Sequence, residues 1–318
     1  MRASLLVAAF LAACSAETST KTADSGGPFV QPGLDDPTAR DWTRAGEWYP
    51  EDPAALDRKV QELVDEVGDV GPPRQARAIL TPHAAINYSG PVAAEAWARI
   101  APPDTVVVLA PNHFEDGVDE AIWTEGPWLV PGHALAIDQV LTARIQELDP
   151  ALVSDRDAFS HHEVEMNLPF LQWSNPDLEM VVIGFRDNQD WDYRGFGLDR
   201  IRAAGEAVAT AIAEREAAGE NVLLLITTDL THYESLIAAQ QKDPVMMDHI
   251  EALDAEGLYE AVTGDGLTIC GEVPTTVGMV ALEALGIDRF DETFLGSSYT
   301  LAQDPSFVIG YPAGVVYR

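Results

Sequence analysis

The sequence predicts a single three-layer α/β domain in which helices flank a mostly parallel or mixed central sheet. Three observations predict it. Apolar, β-branched runs at 105–110 (TVVVLA), 180–185 (MVVIGF) and 221–227 (NVLLLIT) read as strands covered on both faces. Helical patterns separate those runs, as crossovers between parallel strands require. No internal repeat and no second composition regime follows residue 45, so one domain suffices.

Taken in order, the ordered chain opens near Trp42 to Tyr49, and 77–81 is a short buried strand. Residues 91–100 start with a proline followed by good helix formers, which places Pro91 in the first turn of a helix. The strand at 105–110 follows, then a helix over 137–148 and the strand at 180–185. The Ala- and Glu-rich stretch 198–218 is a long helix leading to the strand at 221–227. Helices follow at 244–258, opened by Pro244, and at 274–285. The segments 294–299 and 306–317 are late strands.

The N-terminus has a different character. Arg2 precedes a short apolar run, Leu5 to Ala13, of the length of a signal segment rather than a membrane span. The run ends in Leu11-Ala12-Ala13-Cys14, which resembles a bacterial lipobox with Cys14 as the lipidated residue. The other reading is an ordinary secretory signal with an incidental cysteine. The expected organisation is a lipoprotein signal peptide at 1–13, a polar, flexible tether at 14–41 and the α/β domain at 42–318. The expected setting is an exported bacterial lipoprotein, membrane-anchored and facing the periplasm or cell exterior. With a formal charge of −33, nucleic acid and anionic lipid surfaces would repel the chain, so its only membrane contact is the anchor.

If Cys14 carries lipid, Cys270 is the sole remaining thiol, which needs burial or a bound partner in an oxidising compartment. His83, His113 and His232 each follow a predicted strand. Ligands of open α/β sheets bind outside the carboxyl ends of strands, so these three would converge on one crevice. Neutral imidazole and thiolate together suit a first-row transition metal. Asp229 either accepts a proton from a ligand imidazole or caps the segment after it. His162 and Glu165, three apart, either line the crevice as a general acid/base pair or belong to an exposed helix start, with Ser160 as its cap and Glu163 in the capping-box position. His161 reads as exposed, and His133 and His249 carry no assigned role.

Several blocks resemble the Memo family, also known as protein B of the AmmeMemoRadiSam system. In order they are His83-Ala84-Ala85-Ile86-Asn87-Tyr88-Ser89-Gly90-Pro91, Val108-Leu109-Ala110-Pro111-Asn112-His113, the run from His162 to Leu171, Thr228-Asp229-Leu230-Thr231-His232-Tyr233, Cys270-Gly271 and Val308-Ile309-Gly310-Tyr311. The chain departs from the family at Ala85-Ile86, where Gly-Tyr is usual, at His161, where Glu is usual, and in its export-like N-terminus. The resemblance implies a fold similar to class III extradiol ring-cleaving dioxygenases and a mononuclear iron or copper held by His83, His113 and Cys270. It further implies Asp229 and His232 at the same cleft, with His162 and Glu165 at its rim. The expected function is an iron- or copper-dependent, dioxygenase-like oxidoreductase acting on a small-molecule or peptide ligand. The rivals are a non-catalytic surface metal-binding protein and a metal-free peptide-binding module.

Overall fold

The computed structural model describes residues 34–113, 116–186, 196–265 and 267–318. Cys14, the signal segment and most of the expected tether lie outside these residues. Among the described residues, no helix is long and apolar enough to cross a membrane.

The folded body begins before residue 42. Ala39 and Arg40, placed in the tether by composition, are buried. Helix α1 (Pro53–Val67) follows, with Asp52 capping the Ala55 N–H at 2.8 Å and Pro53 in the first turn. Its apolar stripe, Leu56, Val60 and Leu63, is buried. No helix was expected here, although cap, proline and stripe are all present in the sequence. Strand β1 (Ala76–Thr81) leads to α2 (Ile86–Trp97). Pro91 lies inside that helix rather than at its start. Pro91 and Asn87, the residue four before it, are both exposed, so water can satisfy the carbonyl that the proline leaves without a donor.

Strand β2 (Thr105–Asn112) is followed by three short strands, β3 (Glu120–Ile122), β4 (Trp128–Val130) and β5 (His133–Ile137). Helix α3 (Gln139–Leu148) starts two residues later than expected, because Asp138 accepts from the Leu141 N–H and caps it. After two 3-10 turns at 157–159 and 165–167 come α4 (Leu168–Ser174), β6 (Glu179–Arg186), α5 (Leu198–Ala217) and β7 (Val222–Thr227). The expected helix at 244–258 resolves into α6 (Leu236–Glu251) and α7 (Ala255–Asp265). Ser235 caps the first, and Pro244 sits in its interior. The chain ends with α8 (Glu272–Ala284), β8 (Glu292–Ser297), α9 (Tyr299–Ala302) and β9 (Gly310–Tyr317).

The sheet order is β4-β5-β6-β2-β7-β1-β9-β8, with β3 paired to β6. The run β5-β6-β2-β7-β1 is parallel. Its margins, β3, β4, β8 and β9, pair antiparallel. Alternate residues of the central strands enter two cores. Val107, Leu109, Leu224 and Ile226 pack on the side of α5 and α8. Val106, Val108, Leu223 and Leu225 pack on the side of α1, α2 and α4. This is the mixed, three-layer α/β domain expected from the sequence. It brings the carboxyl ends of the neighbouring strands β2, β7 and β1 to one edge.

Candidate metal centre

The site is built on those three strand ends. His83 follows β1, His113 follows β2, and the segment Thr228 to His232 follows β7. Cys270 arrives from the opposite direction, two residues before α8. Its carrier is pressed against the β7 end: a Cβ at Gly271 would lie 2.7 Å from Thr228 Oγ1 and 2.9 Å from the Thr227 carbonyl. Gly271 is therefore required for space, since its φ of −149° is open to any residue. Two backbone contacts clamp the cysteine to the loop. Its N–H donates to the Asp229 carbonyl at 3.1 Å, and the Asp229 N–H points at Sγ at 3.3 Å. An N–H aimed at sulfur and the start of a helix both favour thiolate.

The three donors meet. His83 Nε2 lies 3.1 Å from His113 Nε2 and 3.2 Å from Cys270 Sγ. The ligand atoms of His83, His113 and Cys270 all fall within 4.8 Å of one another. Nitrogen and sulfur atoms at those two separations could share one ion, since metal bonds run at roughly 2.1 Å to nitrogen and 2.3 Å to sulfur.

A hydrogen-bond chain decides which nitrogen of His83 is available. Thr81 Oγ1 donates to Asn167 Oδ1 at 2.7 Å, which fixes the amide orientation. Asn167 Nδ2 then donates to Thr227 Oγ1 at 3.0 Å, while Thr227 spends its own proton on the Thr81 carbonyl. Thr227 Oγ1 can therefore only accept from His83 Nδ1, 3.1 Å away. The proton sits on Nδ1, and the Nε2 lone pair faces the centre. Burial, then the rings of His113, His162 and His232, hold His83 well below the usual histidine range, so it is neutral as a ligand must be.

Asp229 is placed at the cleft but acts differently from the expected imidazole acceptor. Its Oδ1 accepts from the His83 backbone N–H at 3.0 Å, and Thr227 takes the imidazole. Burial raises its carboxyl to about 7, and among the described residues no lysine or arginine forms an ion pair with it. His232 Nδ1 lies 2.7 Å from the Leu230 carbonyl, so that nitrogen carries the proton. The loop is tied down from both sides. Leu230 N–H donates to the Gly310 carbonyl, Gly310 N–H to the Thr231 carbonyl, and Thr231 N–H to buried Asp243.

His162 lies over this centre, its ring 6.4 Å from that of His83 and 6.2 Å from that of His113, with Trp48 edge-on at 4.3 Å. Glu165 does not accompany it. Glu165 is fully buried in another network, accepting from Arg40 at 2.8 Å, from the backbone of Thr43 and Arg44, and from the Tyr49 hydroxyl. Its oxygens are occupied in holding segment 40–49 in place, so the acid/base pairing read from the three-residue spacing is corrected. The spacing assumes an α-helix, whereas the chain is a 3-10 turn here. The carboxyl that faces the imidazoles is Glu163, 4.0 Å from His113 Nε2 and 3.8 Å from His162 Nδ1. Burial raises its affinity for a proton. In the sequence Glu163 fits a capping-box position equally well, and Thr81, Asn167, Thr227 and Trp48 carry no signal beyond lying in or near the other site residues. A cavity of about 410 Å³ opens elsewhere, lined by Leu198, Arg202, Leu253 and Glu283 at the far end of α8.

Comparison with known proteins identifies the family. The family model described as Memo-like protein matches residues 40–315. A MEMO1 family protein of Methanopyrus kandleri is 32% identical over 290 residues, covering 86% of this chain and 97% of the relative. One from Methanothermobacter thermautotrophicus is 30% identical, covering 84% and 96%. One from Aquifex aeolicus is 29% identical, covering 84% and 95%.

Proposed function

The chain belongs to the Memo family, and from that premise we propose that it binds one redox-active metal ion, iron or copper, on His83, His113 and Cys270, and uses it in oxidoreductase chemistry. The observation that carries the reading is the approach of two imidazole nitrogens and one sulfur to within 3.1 and 3.2 Å, from segments 30 and 187 residues apart. When bound, the ion would supply one-electron redox chemistry and Lewis acidity.

The chain's own groups do the rest. Thr227 and Asn167 hold the His83 ring with Nε2 inward. Glu163 and Asp229 are buried carboxyls whose raised proton affinity suits them to hold or pass a proton. His162, which burial keeps neutral beside Trp48, narrows the approach to His113.

The test is anaerobic loading of the purified domain with iron(II) or copper, desalting and elemental analysis. Metal should be retained by the wild type and lost in H83A and H113A. Retention that is unchanged in both variants, or absent from the wild type, refutes the reading. Oxygen uptake by the loaded protein with catechol-like compounds separates an enzyme from a protein that only holds the ion.

A further inference from the structure

Beyond the two histidines and the cysteine, the crevice has an aromatic wall. Tyr233 and Phe307 stack with their ring centres 4.6 Å apart, and Tyr233 stands edge-on to His232 at 5.6 Å. Both are largely exposed, at 61% and 55%, and Tyr88 is exposed as well. The backbone holds the pair in place. Glu234 and Val308 exchange hydrogen bonds, and Tyr233 takes a φ of +57°, a left-handed conformation that is unfavourable for any residue with a Cβ. Tyr311 lies behind this wall. Burial, then the neighbouring Asp229, Tyr88, Tyr233 and Cys270, push its phenol above the usual range, so these four side chains surround it.

Two polar atoms here have no use within the chain. Asp229 Oδ1 accepts from the His83 N–H, but Oδ2 has no hydrogen-bond partner among the described residues. The Tyr311 hydroxyl has none either. Both side chains are more than nine-tenths buried, at 3% and 1% exposed. We propose that this end of the crevice binds a small organic amine, its ammonium on Asp229 Oδ2 and the Tyr311 hydroxyl oxygen and its apolar body against Tyr233 and Phe307.

The lining selects that chemical class. An ammonium group carries donors and no acceptor, so it can serve both oxygens at once. A buried carboxylate without a cationic partner is costly, and among the described residues no lysine or arginine forms an ion pair with Asp229. Aromatic faces attract a cation and bury the carbon body that carries it. The charges around the wall have the same sense. Glu234 adjoins Tyr233, Asp304 lies in the segment that carries Phe307, and Lys242 is spent on Glu234 at 2.7 Å. A formal charge of −33 draws cations toward the crevice, whereas a carboxylate or phosphate ligand would be repelled and would meet Asp229 on arrival. The site goes beyond the metal reading and needs no ion, because every group in it belongs to the chain.

The experiment is isothermal titration of the protein with 2-phenylethylamine, as purified and again after treatment with a chelator. It is run at about pH 8, where the amine is protonated, and in about 0.2 M sodium chloride to screen the outer surface. Saturable binding of one equivalent per chain is expected in both preparations. D229N should weaken it about ten- to a hundredfold, and Y311F about two- to tenfold. F307A, at an exposed position, should weaken it about two- to fivefold. The uncharged 2-phenylethanol should bind at least about tenfold more weakly than the amine. Far-UV circular dichroism establishes that each variant is folded, and F307A keeps the test open if a buried substitution is not tolerated. Absence of saturable binding overturns the proposal, as does equal binding of the alcohol or an affinity unchanged in D229N and F307A. Binding that appears only before chelation also overturns it, because the nitrogen would then be on a metal ion. None of these results bears on metal retention by His83 and His113, which is measured separately.

Discussion

His162 and Glu163 are chain neighbours that burial drives in opposite directions. Removal from water disfavours either charge, so it lowers the histidine, to about 3, and raises the carboxyl. The sign for stability follows from the histidine. Its folded value lies below the unfolded value of about 6.5, so its contribution is full above that pH and is lost as pH falls toward 3. Replacing His162 by Gln should leave the metal-free protein's stability difference from wild type constant between pH 7 and 8. Below about pH 6.5 the variant should gain on the wild type, by of order 3–5 kcal/mol at the acid end. Thermal denaturation of both proteins across that range checks it, and parallel curves would show that the ring takes up protons without penalty. His83, His113 and His232 were legible in the sequence because strand ends mark them, and Cys270 because it is the one thiol left if Cys14 carries lipid. Glu163 was not, because which of two nearby acids faces the rings depends on packing against residues 40–49.

At the scale of elements, the Arg40–Glu165 pair fastens segment 40–49 to the turn that presents His162 and Glu163. Arg40 also donates to the carbonyls of Phe159 and His161, so one guanidinium spans the whole turn. Glu165→Gln removes the carboxylate from a buried cation. The loss of one member of a buried pair costs about 3–5 kcal/mol, and urea denaturation should show a drop of that size. A residue that only carried protons would leave stability nearly unchanged. Helix α5 was legible because its stretch of good helix formers, rich in Ala and Glu, is long. Helix starts were misplaced at Pro91 and Pro244, because a proline reads equally well as a first turn or as an exposed interior position. Only the neighbouring surface distinguishes the two.

For the whole molecule, the governing quantity is the formal charge of −33. Self-repulsion of that size weakens the compact state, and salt relieves it, since the Debye length falls from about 10 Å at 0.1 M to about 3 Å at 1 M. The melting temperature should therefore rise steadily with sodium chloride between 0.05 and 1 M. A flat or falling curve would mean that the surface ion pairs, such as Arg144–Glu214, outweigh the repulsion.

The sequence by itself determined the alternation of strands and helices, the three-layer class, and the place of His83, His113 and His232 just after strands, because burial and chain direction are written locally as runs and periods. Only the tertiary structure decided that Cys270 meets His83 across 187 residues, that Thr227 fixes the imidazole, and that Glu165 holds Arg40 while Glu163 faces the rings. Those outcomes depend on the register of β1, β2 and β7 and on the seat of α8 against them. A local pattern carries no information about distances between segments that meet only when the sheet is closed.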